Sequence, residues 1–340
     1  MTSDDSSRAA TLNDVAARAR VSAATASKAL NGRSDVAAAT RTRVLAAAEE
    51  LGFTPNAVAR GLTAGRTSTV GLLTSDLDGR FVLPILMGAE DAFGAGRIDV
   101  FLCDARGDAV REQHHLRALL SRRVDGIIVV GDRTDPRPSL GQAIPAPVVY
   151  AYAPSDDPRD LSLTPDNVEG GRAAIRHLLT CGRRRVAHIG GDPSYAAARD
   201  RVLGAELELQ DAGLSFVAPP MLGEWSEHWG RAAARLLFDR HPDIDAVFCG
   251  SDQIARGVLD AARDLGRDVP REVSVIGFDN WVVLADNAQP RLTTVGADFE
   301  SLGRAAAQHL FRAFDDNAAE SGVIHTPVQL FVRESTIPVS

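Results

Sequence analysis

Lysine is almost missing from this chain: of 37 basic side chains in 340 residues, Lys28 is the only lysine and the rest are arginine. Cysteine is nearly as scarce. Cys103, Cys181 and Cys249 are widely separated, which excludes both a disulfide framework and a cysteine-spaced metal site and suits a reducing compartment. No apolar run reaches the roughly 18 residues that a membrane-crossing helix needs. The N-terminal "MTSDDSSRAAT" carries two acids and no apolar segment, so no secretory signal is expected there and a cytoplasmic location is. No glycine-rich loop precedes the single lysine, so there is no phosphate-binding P-loop, and no nucleophile–base constellation stands out. The pair His114–His115 lies in mid-helix, where adjacent side chains point apart, and reads as surface rather than metal site.

What is present is unevenly charged. The net charge of −8 conceals a basic head. Residues 11–66 hold Arg18, Arg20, Lys28, Arg33, Arg41, Arg43, Arg60 and Arg66 against Asp14, Asp35, Glu49 and Glu50; the rest of the chain is acidic. A small basic head on a large acidic body points to a head that meets polyanions. The length suits two or three domains.

Residues 1–10 read as a disordered tail. From Thr11 a helical period begins, with Leu12, Val15, Ala16 and Ala19 on one face and Thr11 or Asn13 as its cap. After a break at "ARV", Ser22 caps a second short helix that Asn31-Gly32 ends, with Ala26, Ala29 and Leu30 packing back. A third helix presents Val44, Leu45, Ala48 and Leu51 and stops at Gly52. Two short helices across a tight turn with a third as brace describe a helix-turn-helix. "PNAVARGLTAGRT" follows, too short a helix to persist alone.

Beyond Thr67 the texture changes. "STVGLLTSD", "IDVFLCDA", "VDGIIVVGD", "APVVYAY", "RRVAHIGGD", "IDAVFCGSD" and "EVSVIGFDN" are short β-rich runs, and most are separated by helical stretches: 84–96, 109–123, 167–181, 199–213, 227–240 and 252–266. Such alternation predicts an α/β core of doubly wound parallel sheets, and the number of units predicts two lobes. Ligands of such sheets bind outside the strand C-terminal ends, so the polar residues there are candidates: Ser75-Asp76, Asp104, Asp132, Tyr152, Asp192, Ser251-Asp252 and Asp279-Asn280. An aspartate at a strand-to-helix junction also serves as a helix cap, and for Asp76, Asp192 and Asp252 both readings stand.

The segments "TLNDVAARARVSAATASKALNG", "TRTRVLAAAEELGFTPNAVARGL", "DNVEGGRAAIRHLLTCGRRRVAHIGG", "SDQIARGVLDAARDLGRDVPREVSVIGFDN" and "PRLTTVGADFESLGRAAAQHL" occur in the order found in lactose-repressor-type (LacI/GalR family) transcriptional regulators, which the chain resembles over about residues 11–338. The resemblance implies an all-α helix-turn-helix DNA-binding head (11–54), a hinge helix or linker (55–66) and a type I periplasmic-binding-protein-like core (67–338). Lobe 1 is expected over about 67–163 with 294–322, and lobe 2 over about 164–293 with 323–338. It implies a homodimeric, nucleoid-associated repressor on a pseudo-palindromic double-stranded DNA operator, responsive to a small-molecule effector, with no cofactor, no metal and no membrane partner.

By the same resemblance Ala23, Ala24 and Lys28 face bases, Lys28 being the one long reader. The alternative for Lys28 is a phosphate contact. Ser22, Thr25 and Ser27 bond phosphates; Asn56, Ala59 and Leu62 belong to the hinge, with Leu62 as the minor-groove wedge. In the core, Arg201 and Asp279 become polar clamps and Trp225 an aromatic floor, while Ser75, Tyr152, Ser251, Asp252 and Phe299 line the rest. A sugar inducer is the implied ligand; a purine or nucleoside, or a co-repressor mode, is the alternative. A transporter's solute-binding protein would not carry the head, and an α/β enzyme would need the absent catalytic groups. Three departures from the family predict a head of reduced stability. Arg20 occupies a turn position that favours Gly or Asn, at about 1 kcal/mol. Ala37 replaces a capping Ser, at about 1 kcal/mol. Ala26 is a smaller core plug than Val.

Overall fold

A computed structural model describes residues 10–30, 35–53, 66–94, 98–315 and 320–337. Contacts divide the chain into residues 1–68 and 69–340.

In the first unit, helices α1 (Leu12–Ala19), α2 (Ala23–Leu30) and α3 (Ala38–Glu50) enclose a core of small residues. Val15, Ala26, Ala29, Val44 and Ala47 are buried there, with Leu12, Val21, Leu30 and Phe53 against them. Thr11 and Asp14 form a reciprocal capping box: the Asp14 N–H donates to the Thr11 hydroxyl, and the Thr11 N–H donates to the Asp14 carboxylate at 2.8 Å. Ser22 accepts the Thr25 N–H at 3.1 Å and starts α2 as expected. Arg20 takes φ 56 at the turn, and Ala37 offers α3 no side-chain cap. One expectation fails: Leu45 and Leu51 are exposed, because Val44, Ala47 and Ala48 fill the α3 stripe that faces the core. The hinge residues Asn56, Ala59 and Leu62 lie outside the described residues.

The second unit contains two six-stranded sheets. The first uses β1 (Thr69–Thr74), β2 (Asp99–Asp104), β3 (Gly126–Val130), β4 (Val148–Ala151), β5 (Leu161–Pro165) and β11 (Gly322–Thr326), in the order β11-β5-β4-β3-β1-β2. All its pairings are parallel. The second uses β6 (Val186–Gly190), β7 (Met221–Leu222), β8 (Ala246–Cys249), β9 (Ser274–Phe278), β10 (Thr293–Ala297) and β12 (Val328–Phe331), in the order β12-β10-β9-β8-β6-β7. Only β12 runs antiparallel to its neighbour. Central strands such as "GIIVV" and "VAHIG" are buried throughout, as parallel strands covered on both faces must be.

Chain pairing places the lobe crossings after Pro165, after Ala297 and after Thr326. The expected division put 294–297 in lobe 1 and 323–326 in lobe 2; β10 instead pairs with β9 and β12, and β11 pairs with β5. Neither strand is a continuous apolar run, so hydrophobicity alone does not assign them.

Helices cover the sheets: α4 (Val82–Phe93), α5 (Ala109–Ser121) and α11 (Phe299–Asp315) on lobe 1, and α6 (Asn167–Thr180), α7 (Ala196–Asp211), α8 (Glu227–Arg240), α9 (Asp252–Asp264) and the short α10 (Val282–Ala285) on lobe 2. Three helix pairs share one device. A methyl group added at Gly88 would strike the Glu300 carbonyl oxygen, and one at Gly303 would strike that of Ile85. Gly171 and Gly204 stand in the same way against the carbonyls of Arg201 and Val168, and Gly230 and Gly257 against those of Ile254 and Glu227. Each glycine lies three residues beyond the carbonyl that receives its partner, so backbone meets backbone twice per pair. No side chain can yield at such a contact.

Gly204→Ala and Gly303→Ala should each destabilise the core by about 2–3 kcal/mol, at the upper end of overpacking costs, because backbone must move. Chemical denaturation of the variants checks this. A midpoint unchanged from the wild type would mean that these helices are not in backbone contact.

Candidate effector cleft and DNA-binding face

In each core sheet the strand order reverses next to its first strand: between β1 and β3 in lobe 1, and between β6 and β8 in lobe 2. The carboxyl ends of strands at such reversals are where open α/β sheets bind ligands. Most core candidates gather there.

On the lobe 1 side, β1 runs into a turn built by Asp76. Its carboxylate accepts the Gly79 N–H at 3.0 Å, and its own N–H donates to Thr74 Oγ1 at 3.2 Å. The turn delivers Arg80 and Phe81, neither of which the sequence reading picked out. Phe81 packs between two expected residues, Tyr152 at 4.7 Å and Phe299 at 4.6 Å between ring centroids. Tyr152 has φ 73 and is buried; burial pushes its phenol well above the usual tyrosine range. Ser75 follows β1 and is half-buried.

On the lobe 2 side, Asp279 ends β9 with φ 103, and Asn280 follows with φ 49. Gly296 leaves room for this turn, since a methyl there would press on the Asn280 side chain. The Asp279 N–H donates to the Val295 carbonyl at 2.6 Å, and Asn280 Oδ1 accepts from Arg333 at 2.9 Å. Backbone held off its preferred region this way is characteristic of binding sites. Arg201 is buried. It donates from Nε to Asn167 Oδ1 at 2.9 Å, from Nη1 to the Gly250 carbonyl at 2.5 Å, and its Nη2 lies 3.3 Å from Asp279 Oδ1. Its guanidinium stands 3.7 Å from the Phe278 ring centroid, and burial pulls it below the ordinary arginine range. Arg201 therefore holds Asp279 in place.

The other oxygen of Asp279 belongs to Arg80. Arg80 Nη2 donates to Asp279 Oδ2 at 2.5 Å across the two lobes. The same guanidinium lies 4.8 Å from the Phe81 centroid and 4.7 Å from that of Trp281. Trp225 rests on Gly191, where a methyl would collide with the indole. Its centroid is 5.8 Å from that of Tyr195, and its buried Nε1 has no partner. Trp229 is a packing residue whose Nε1 donates to the Gly190 carbonyl at 3.0 Å.

Two expected lining residues are committed elsewhere. Ser251 is fully buried and caps α9 through the Ile254 N–H at 3.2 Å. Asp252 is fully buried; it accepts from Thr294 Oγ1 and from the Trp281 N–H, both at 2.6 Å. It is neither a cap nor a cleft-facing group. It holds the backbone of the tryptophan that stacks on Arg80. Burial first, and then the Asp279 charge, push its carboxyl up to about 7.

In the head, Ser22, Ala23, Ala24 and Lys28 are exposed on one side of α2 while Ala26 and Ala29 are buried on the other. Thr25 and Ser27 are half-buried, and the Ser22 and Thr25 hydroxyls bond each other at 2.8 Å. Lys28 Nζ pairs with Asp35 Oδ2 at 2.6 Å. Both side chains are exposed, so the pair holds the lysine with about 1 kcal/mol at most and is readily given up. The spacing of Asp35 in the sequence does not announce this contact.

Residues 11–56 match the lacI family of bacterial regulatory proteins, and residues 175–336 match the periplasmic binding protein-like domain. The HTH-type transcriptional regulator CelR of Thermobifida fusca is 34% identical, covering 96% of this chain and 98% of its own. Catabolite control protein A of Priestia megaterium is 31% identical, covering 96% and 99%. The HTH-type transcriptional repressor PurR of Aliivibrio fischeri (strain MJ11) is 31% identical, covering 96% and 98%. Among solved structures, the Lac repressor dimer bound to operator and the anti-inducer ONPF superposes with a TM-score of 0.75 at 27% identity, over 97% of this chain and 99% of that one. A complex of CelR with cellobiose gives 0.64 at 31%, over 96% and 99%.

A carboxyl raised by burial is protonated in the folded core at mildly acidic pH and ionises at a cost as pH climbs through about 7. In the unfolded chain it is already ionised above about pH 4. The folded state thus binds the extra proton between those limits, and Asp252 costs the core stability as pH rises through them. Melting curves of the wild type and Asp252→Asn from about pH 5 to about pH 8 should diverge, the wild type losing more stability with rising pH. Parallel profiles would mean that Asp252 is ionised throughout.

Proposed function

The chain belongs to the lacI family of bacterial regulatory proteins, and on that footing we propose that it represses carbohydrate-utilisation genes and is released from its operator by a sugar inducer. At the coarser level it is a ligand-responsive transcriptional regulator rather than an enzyme. It binds operator DNA as a dimer and responds to a small molecule.

The observation that carries the sugar reading is Asp279: a strand-end carboxylate held by a buried arginine whose guanidinium lies 5.8 Å from the ring centroid of Trp225, an indole with an unpartnered N–H. Carboxylates chelate adjacent hydroxyls, and indole faces pack on the apolar face of a sugar ring. The likeness to CelR, solved with cellobiose, supports the same class. A purine or nucleoside effector is the second reading, favoured by Trp225 as a stacking surface and by the 31% identity to PurR. Repression with ligand as co-repressor differs only in the sign of the operator response.

In the head, Ala23 and Ala24 offer methyl contacts to bases and Lys28 donates to guanine, while Ser22, Thr25 and Ser27 bond phosphates. Asn56, Ala59 and Leu62 contact DNA from the hinge segment, and Leu62 unstacks the central step from the minor groove. Two heads read two half-sites of a pseudo-palindrome. The apolar side chains Leu83 and Met87 of α4 and Phe101 and Leu102 of the edge strand β2 are exposed in the single chain, and dimerisation covers them. The protein works in the cytoplasm, on the nucleoid.

Lys28→Ala should weaken operator binding by about 1–3 kcal/mol and relax the preference at one base pair per half-site. Selection from a randomised operator library, with binding measured at fixed salt, tests this. Equal weakening on every sequence would make Lys28 a phosphate contact. A thermal-shift screen against sugars and nucleosides tests the effector class; stabilisation by nucleosides alone would replace the sugar reading with the purine one.

A further inference from the structure

Asp279 is one carboxylate serving two guanidiniums. Oδ1 faces Arg201 Nη2 at 3.3 Å, and Oδ2 accepts from Arg80 Nη2 at 2.5 Å. Arg201 is tied to protein, with its Nε and Nη1 bonded to Asn167 and Gly250. Arg80 differs. Its side chain is 27% exposed, and its buried Nη1 has no partner.

A neutral sugar whose hydroxyls displace Arg80 from Asp279 Oδ2 brings no anion in its place. Arg80 would then stand between Phe81 and Trp281 with no anion. Removing one partner of a largely buried ion pair is costly unless a replacement arrives. The flanking charges offer none. Arg133 is paired with Asp132 at 3.3 Å and stands over Tyr195, Arg199 is paired with Asp135 at 3.2 Å, and Asp252 is bonded to Thr294 and Trp281. The buried Trp225 Nε1 is also unpartnered, and it too is a donor.

We propose that the effector is a polyhydroxylated anion, a sugar acid or a phosphorylated sugar, whose hydroxyls engage Asp279 and whose anionic group takes over Arg80. The proposal rests on the sugar reading above and narrows it. The ligand resolves its own conflict: the groups that displace Asp279 from Arg80 come with the carboxylate or phosphate that Arg80 then binds. Arginine suits both, because its planar fork matches either oxyanion. Arg80 binds the anionic group, and Arg201 positions Asp279.

The test is calorimetric titration and thermal shift on the full-length dimer with matched panels: neutral hexoses and pentoses, the corresponding aldonates and uronates, their phosphates, and nucleosides. At least one acid or phosphate should bind the wild type at least about tenfold more tightly than its neutral parent. That advantage should disappear in Arg80→Gln, be partly kept in Arg80→Lys, and shrink with added salt. Comparing the acid and phosphate arms identifies which oxyanion is used. Tighter binding of neutral sugars overturns the anion assignment and leaves the sugar reading intact. Binding of nucleosides alone overturns both. A failure of every acid and phosphate to bind overturns the assignment whatever else binds. Equal loss of anionic and neutral ligands in Arg80→Gln would mean that Arg80 only shapes the cleft.

Discussion

The core turns on a single carboxylate shared between two arginines. Asp279 is pinned from lobe 2 by Arg201 and claimed from lobe 1 by Arg80. Supporting contacts lead back to it. Asn167 orients Arg201, Asp252 fixes the backbone of Trp281, and Trp281 and Phe81 flank the Arg80 guanidinium. The raised φ of Asp279 is held by its bond to Val295 and by the space that Gly296 leaves. A ligand that changes how Asp279 divides itself between the two arginines changes the bond between the lobes.

Such a switch works only if each lobe moves as a body. The reciprocal glycine contacts supply that stiffness, because two backbones in van der Waals contact leave no soft side chain to absorb a shift. One of these contacts places Gly171 against the Arg201 carbonyl, so the helix that carries Arg201 is locked to the helix that begins with Asn167. Between the lobes the covalent links are three strand-end crossings. Differential affinity of the ligand for two lobe arrangements is then all that a response requires.

Much of this was legible in the sequence. Apolar runs marked the central strands, the 3.6-residue period marked the helices between them, and Thr11, Ser22 and Gly52 punctuated the head as read. What failed to show has physical causes. β5, β10 and β11 carry Ser, Thr, His or Pro among few apolar residues, so their sheet membership rests on partners distant in sequence. Leu45 and Leu51 read as core because hydrophobicity ignores which stripe a helix turns inward. Ser251 and Asp252 stand at a strand end, yet their side chains point into protein. Arg80 was overlooked because it comes six residues after its strand, on a turn whose shape depends on Asp76. Lys28, by contrast, was conspicuous through the rarity of its residue type, though its pairing with Asp35 was not.

The claim that Asp279 couples ligand to DNA is tested most directly by operator affinity of wild type and Asp279→Asn, each with and without a sugar that stabilises the wild type. The account predicts that ligand changes wild-type operator affinity by about tenfold or more and leaves Asp279→Asn unmoved, with both proteins binding operator within a few fold of each other when ligand-free. An Asp279→Asn protein that responds to ligand like the wild type would contradict it.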